Sequence, residues 1–85
     1  MSATETVVRR VLRDVLSIGG RAENLTESSA LVGAIPELDS MAVVNVIAAF
    51  EDELGIVIED DEISGEIFAT FGSLVKFVAN KTNGS

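Results

Sequence analysis

Apolar residues recur at a doubled spacing of four near the start of the chain: Val7/Val8, Val11/Leu12 and Val15/Leu16, with Arg9, Arg10, Arg13 and Asp14 between them. This recurrence puts the valines and leucines on one side of an α-helix and the charges on the other. Ser2-Ala3-Thr4-Glu5 has the form of a capping box at its start, and Gly19-Gly20 offer the backbone freedom that its end requires. From Arg21 to Leu38 the period disappears. Asn24, Thr26, Ser28, Ser29, Gly33 and Pro36 are turn formers or small polar residues, and Leu25, Leu31, Val32, Ile35 and Leu38 fit neither a period of two nor one of 3.6. The expectation is a long loop pinned to a core by its apolar side chains, and a loop of that length in a small domain usually has a function. A second helix starts at Asp39-Ser40, with Met41, Val43, Val44, Ile47, Phe50 and Leu54 at three- and four-residue steps and Gly55 as its stop. Ile56-Val57-Ile58 is β-branched but too short and too isolated for a sheet, so it predicts an extended connector with its side chains turned inward. After the acidic Glu59-Asp60-Asp61-Glu62, Ile63, Ile67 and Phe68 predict a short third helix. Thr70 caps a last helix whose Leu74, Phe77 and Val78 face the core. The pattern as a whole predicts an all-α fold, a small four-helix bundle of three main helices and one short one. It forms a single domain over residues 1–85, with a polar, frayed tail from about residue 80.

Composition narrows the chemistry. Eighty-five residues suffice for one domain with one core. The chain has no cysteine, histidine, tryptophan or tyrosine, which removes disulfides, zinc-thiolate sites, a Ser-His or Cys-His catalytic pair and the commonest metal ligand. No catalytic residue and no metal ligand set is expected. Six basic residues against fourteen acidic ones leave a net charge of −8. A surface of that sign repels phosphate backbones and anionic lipids, so neither nucleic acid nor a membrane surface is an expected partner. Charges interrupt the apolar pattern of the N-terminal segment, unlike a signal peptide, and the longest uncharged stretch, Ser40 to Phe50, is too short to span a bilayer. The expectation is a soluble, cytoplasmic monomer.

One residue stands out as a chemical handle. Ser40 lies where the long loop meets the second helix, in Ile35-Pro36-Glu37-Leu38-Asp39-Ser40-Met41. A helix start presents free N–H groups and the positive end of the helix dipole, which suit an attached phosphate. Taken alone, Asp39-Ser40 before an apolar run is a weak signal and is better read as a helix cap. The wider pattern favours the first reading. Leu38-Asp39-Ser40-Met41 before an apolar helix, Glu51-Asp52-Glu53-Leu54-Gly55-Ile56, the acidic run at 59–62 and Thr70-Phe71-Gly72-Ser73-Leu74 together resemble the acyl carrier protein family from Val7 to Val78. Met41 stands where that family's Asp-Ser-Leu motif has leucine.

The resemblance implies a carrier without catalysis, modified on Ser40 with 4'-phosphopantetheine taken from coenzyme A by a magnesium-dependent phosphopantetheinyl transferase. It implies a terminal thiol that holds acyl cargo as a thioester, and a second helix that docks acyl-transferring or acyl-modifying enzymes, in fatty acid or polyketide biosynthesis for example. Docking residues expected on that basis are Asp39, Met41, Ala42, Asn45, Val46, Ala49, Glu51 and Glu53. Val43, Val44, Ile47, Ile58, Ile63 and Phe68 form the expected core, which in many family members shelters the acyl chain. The chain departs from the family pattern in one respect. Ala42, Asn45, Val46 and Ala49 occupy the first turns of the second helix and the acids come later, at Glu51, Asp52 and Glu53. Val46 is therefore expected as an exposed apolar residue on a neutral docking face, and the run Pro36 to Val44 is similar to small carriers of exopolysaccharide and exosortase loci. Alternatives are a peptidyl or aminoacyl carrier, against which the net charge and Leu38-Asp39-Ser40 lean, and an unmodified helical interaction module. A hydrolase built on Asp39-Ser40 lacks any histidine.

The clusters Glu51-Asp52-Glu53 and Glu59-Asp60-Asp61-Glu62 concentrate self-repulsion, which ions relieve by screening or weak oxygen coordination. Millimolar calcium or magnesium should raise the melting temperature, and monovalent salt should do part of the same. A thermal melt indifferent to both would refute this.

Overall fold

The computed structural model describes residues 3–83. Helix α1 runs Ala3–Leu16, α2 Ser40–Leu54 and α3 Phe71–Asn83, with 3-10 helices at Gly19–Asn24 and Asp60–Glu62. The doubled stripe of α1 buries Val8, Val11, Leu12 and Leu16, as its spacing requires. The Ser2 half of the predicted capping box lies outside the described residues. The helix ends at Leu16, and Ser17 takes the left-handed conformation at φ 54° ahead of the glycine pair.

Helix α1 packs against both other helices. The core joins its four residues to Val46, Ile47 and Phe50 of α2 and Phe71, Leu74 and Val78 of α3, with Leu31 and Leu38 from the loop and Ile58 and Phe68 from beyond α2. Among the described residues no polar or charged side chain is buried in it. Polar fixings therefore sit at its rim, where each bond costs less desolvation.

The predicted short helix is a single 3-10 turn at Asp60–Glu62, closed by a capping box between Glu59 and Glu62. Residues 65–69, where Ile67 and Phe68 suggested helix, form turns. Their carbonyls are committed elsewhere: Leu31 N–H donates to Ala69 O (3.0 Å) and Val32 N–H to Phe68 O (3.1 Å). Locally the segment closes on bonds three residues apart, Ile67 N–H to Ser64 O (3.2 Å) and Ala69 N–H to Glu66 O (3.3 Å), as turns do. The connector 56–58 also differs from expectation, since Ile58 is buried and Ile56 half-buried but Val57 is 66% exposed. Asn80–Asn83 belong to α3 rather than to a polar tail, and Lys81 Nζ binds both oxygens of Glu62 at 2.8 and 2.9 Å. Thr70 and Ser73 cap α3 reciprocally, each hydroxyl accepting from the other residue's N–H at 3.1 Å.

The long loop is stitched down along its length. Ala30 pairs with Thr70 in an isolated bridge, Phe71 N–H donates to Ser29 O (2.8 Å), and Gly72 N–H to Glu27 O (2.9 Å). Gly72 is required there, because a Cβ would sit 2.7 Å from the Glu27 carbonyl oxygen. On the other side the Arg9 guanidinium donates from Nη1 to Ala22 O (2.6 Å) and Leu25 O (2.9 Å), and from Nη2 to Glu5 (3.0 Å), while lying 4.8 Å from the Phe71 ring centroid. One planar group thus ties α1 to the loop and to α3.

A lysine cannot span two carbonyls and a carboxylate in this way. Arg9→Lys should cost about 1–3 kcal/mol, the scale of an unsatisfied buried polar group, measured as a lowered denaturation midpoint. A midpoint equal to wild type would show that the Arg9 bonds contribute nothing net. The hydrogen bond from Lys81 holds the Glu62 carboxyl below its ordinary value. A lowered folded-state pKa stabilises above the unfolded pKa and is lost as pH falls through the folded one. The gap in melting temperature between wild type and Lys81→Met should be widest near neutral pH and shrink below the usual carboxylate range. A gap constant with pH would exclude this linkage.

Candidate functional site

Leu38 is buried just before α2, and its N–H donates to Ile35 O at 3.0 Å. This anchor fixes where the loop ends and the helix begins. Asp39 then caps α2: its Oδ1 accepts from Ala42 N–H (2.8 Å) and its carbonyl from Val43 N–H (2.9 Å). The capping duty predicted for either residue falls to Asp39. Ser40, the first residue of the helix, is left exposed. Its hydroxyl stands at the positive end of a fifteen-residue helix dipole, where a phosphodiester is stabilised rather than repelled. These residues fit a phosphate-linked group: an accessible oxygen, a helix N-terminus, and a cap that holds the turn without using the serine.

Arg21, in the first 3-10 helix, pairs with Glu37 three residues ahead of Ser40, and Asp39 N–H donates to Glu37 O at 3.1 Å. The Arg21 hydrogen bond, helped by a backbone one, holds the Glu37 carboxyl below its ordinary value. Glu37 therefore stays a carboxylate at neutral pH, and its pair with Arg21 bridges the first 3-10 helix to the residues just ahead of Ser40.

The first turns of α2 are rotated relative to the sequence expectation. Val46 is fully buried rather than exposed, because with Ile47 and Phe50 it forms the face that packs into the core. A glutamate at that position would place a charge inside an apolar core, so Val46 is withdrawn as a surface contact. Ala42 and Ala49 are half-buried beside it, and Asn45 is exposed as expected. Met41 is 69% exposed, and Val44, expected in the core, is 59% exposed. Val32, Val44 and Val57 are exposed apolar residues that the sequence reading placed inside. The separation of three between Met41 and Val44 puts them on one face, but their apolar character pointed inward. Two of the three later acids are engaged: Glu51 Oε2 accepts from Ile58 N–H (2.8 Å), and Glu53 pairs with Arg10 of α1, while Asp52 is exposed.

Among the described residues no three carboxylates gather to hold a metal ion, and no helix is long and apolar enough to cross a membrane. No family model matches the chain. It is similar to the holo acyl carrier protein of Nitrosomonas europaea, whose solution structure was solved by NMR, with 54% identity, 95% of this chain and 96% of that one covered, and a TM-score of 0.85. An identity of that level across the whole fold, in a chain whose helix start presents an exposed, uncommitted serine, establishes that this protein belongs to the acyl carrier protein family and is a carrier rather than an enzyme.

Proposed function

We propose that this chain carries acyl groups as thioesters on a 4'-phosphopantetheine arm attached to Ser40 Oγ and presents them to acyl-transferring or acyl-modifying enzymes in the cytoplasm. The observation that carries the site assignment is the division of labour at the start of α2, where Asp39 takes the cap and leaves the Ser40 hydroxyl exposed. Attachment needs a phosphopantetheinyl transferase. Ser40 Oγ forms a bond to the phosphorus that bears the pantetheine of coenzyme A. The bond from that phosphorus to the adenosine-bisphosphate leaving group breaks, and the serine proton passes to a base on the transferase. The arm then supplies the thiol that holds the cargo. This chain's own contribution is placement: Leu38 anchors the approach, Asp39 fixes the first turn, and the helix dipole favours the new phosphodiester charge.

Ser40→Ala should fold as wild type, since the cap bond belongs to Asp39 and a first-turn alanine is a good helix former. The variant should gain no phosphopantetheine when incubated with transferase, coenzyme A and magnesium, as read by intact mass. An Ala variant that still gains the group places the attachment elsewhere. A wild type that gains nothing favours an unmodified interaction module instead.

A further inference from the structure

The composition of the chain bears on the chemical fate of a thioester held near Ser40. There is no cysteine and no histidine, and all four arginines, Arg9, Arg10, Arg13 and Arg21, precede the two lysines, Lys76 and Lys81. Serine and threonine hydroxyls are weak nucleophiles without an adjacent base. Lysine is therefore the side chain left that can take an acyl group from sulfur.

The structure sorts these cations by position. Arg21 reaches Glu37, three residues ahead of Ser40, and Asp39 N–H donates to Glu37 O at 3.1 Å. Three residues of chain span at most about 11 Å. A phosphopantetheine arm, with pantoyl, β-alanyl and cysteamine units in series, is longer than that, so its thioester sweeps past position 21. The Arg21 side chain is 55% exposed and borders a groove of about 310 Å³ whose lining includes Ile18, Leu25, Ala34 and Ile35. An acyl chain that shelters from water in this groove lies beside the guanidinium. Both lysines are on α3. Lys81 Nζ donates to both Glu62 oxygens at 2.8 and 2.9 Å. Lys76 borders a depression with Glu5 and Glu27 by the N-terminal end of α1, whereas Arg21 follows the C-terminal end of that helix, which is about 21 Å long.

We propose that Arg21 is a safeguard of the thioester: it supplies the cation that pairs with Glu37 without supplying an amine that takes the cargo off the arm. The inference rests on the carrier reading. A lysine at this position would attack the thioester carbonyl carbon with its neutral amine. The N–C bond forms, the C–S bond breaks, the arm leaves as a thiolate, and the surplus proton on nitrogen passes to that sulfur or to water. The product is an amide, far less reactive than a thioester, and its cargo is lost to partner enzymes. Tethering places amine and thioester at a millimolar or higher effective concentration, so the loss needs no enzyme. A guanidinium does not follow this course, because it stays protonated and its electron pairs are delocalised.

The test uses the full chain loaded with octanoyl-phosphopantetheine from octanoyl-coenzyme A and held at pH 9, where about 4% of an ordinary lysine amine is neutral. Hydroxylamine then removes octanoyl from thioesters and spares amides, and intact and peptide masses count and locate what remains. Wild type and Arg21→Gln should keep none. Arg21→Lys should keep octanoyl on residue 21, at least about tenfold above the wild-type background, and its accumulation should slow about tenfold per pH unit below 9 as the neutral amine declines. Arg21→Gln separates the ion pair from the chemistry, since it breaks the pair with Glu37 and brings no amine. An Arg21→Lys variant that retains no more octanoyl than wild type overturns the proposal. So does wild type that acylates Lys76 or Lys81 as fast as Arg21→Lys acylates residue 21. Arg21→Gln that acylates a lysine where wild type does not would make the ion pair the protecting element, and overturns it too. Wild type that takes up no octanoyl-phosphopantetheine overturns the carrier reading, and this proposal falls with it. Wild type loaded normally with any of the other adverse results overturns the safeguard alone.

Discussion

The rotation of α2 about its own axis is the constraint on which the surface around Ser40 depends. At 100° per residue, burying Val46, Ile47 and Phe50 on one face leaves no freedom for the rest. Met41, Val44, Ala48 and Asp52 must face out, Ala42 and Ala49 must take the flanks, and Val43 and Leu54 continue the buried face towards its two ends, where they are half-buried. A rotation of one residue would bring Glu51 or Glu53 towards the core, at a cost far beyond that of exposing a valine. Phe50 gives this choice its weight, since it is among the largest side chains completely removed from water. The apolar surface beside Ser40 is therefore a consequence of core packing and not an independent feature.

The axial position of Ser40 is set separately, by the loop. A segment of this length has a large conformational entropy to overcome, and burial of Ala22, Leu31 and Leu38, with Leu25 and Ile35 half-buried, secures it only at intervals. The backbone bonds to residues 68–72 and the Arg9 guanidinium supply the intermediate fixings. All of them act at the rim of a core with no buried polar side chain among the described residues. The arrangement separates two tasks. Apolar contacts hold the helices together, and directional bonds determine where the loop delivers the start of α2.

How much of this was legible in the sequence follows from how sharply each helix is patterned. In α1 the charges Arg9, Arg10, Arg13 and Asp14 leave one apolar side, so its buried face was readable residue by residue. In α2 nine of the ten residues from Met41 to Phe50 are apolar, Asn45 being the exception. A helix apolar on every side has no phase, and the reading that put Val46 outside and Val44 inside had nothing to correct it. Helix ends with specific chemistry were recoverable: Asp39-Ser40 as a start, Gly55 in the left-handed conformation as a stop, and Thr70 as a cap. The turns at 65–69 were not, since the end of that segment pairs with the loop through the Phe68 and Ala69 carbonyls, 36 and 38 positions from their donors Val32 and Leu31, a tertiary demand that local periodicity cannot carry. Asn80–Asn83 were lost for a similar reason, since the helix there is held by Lys81 reaching Glu62. At the candidate site the serine was legible, and the orientation of its surroundings was not.

Charge placement links the fold to the surface it presents. Of the six basic residues, Arg9, Arg10, Arg21 and Lys81 are spent on pairs that join separate turns or elements, to Glu5, Glu53, Glu37 and Glu62. Two of those pairs, Arg21 with Glu37 and Arg10 with Glu53, lie just ahead of Ser40 and towards the far end of α2, so acids are neutralised near both ends of that helix. The excess negative charge is left elsewhere, at residues such as Glu23, Glu27, Asp60, Asp61 and Glu66. Over distances beyond about 8–10 Å salt screens that excess. Within a few ångströms the local pairing matters more, and Met41 and Val44 are exposed on α2 between acids that are paired with arginines at Glu37 and Glu53. A strong net charge and an apolar surface make opposite demands on a small domain, and ion pairs between its elements reconcile them by cancelling charge locally while the total stays at −8.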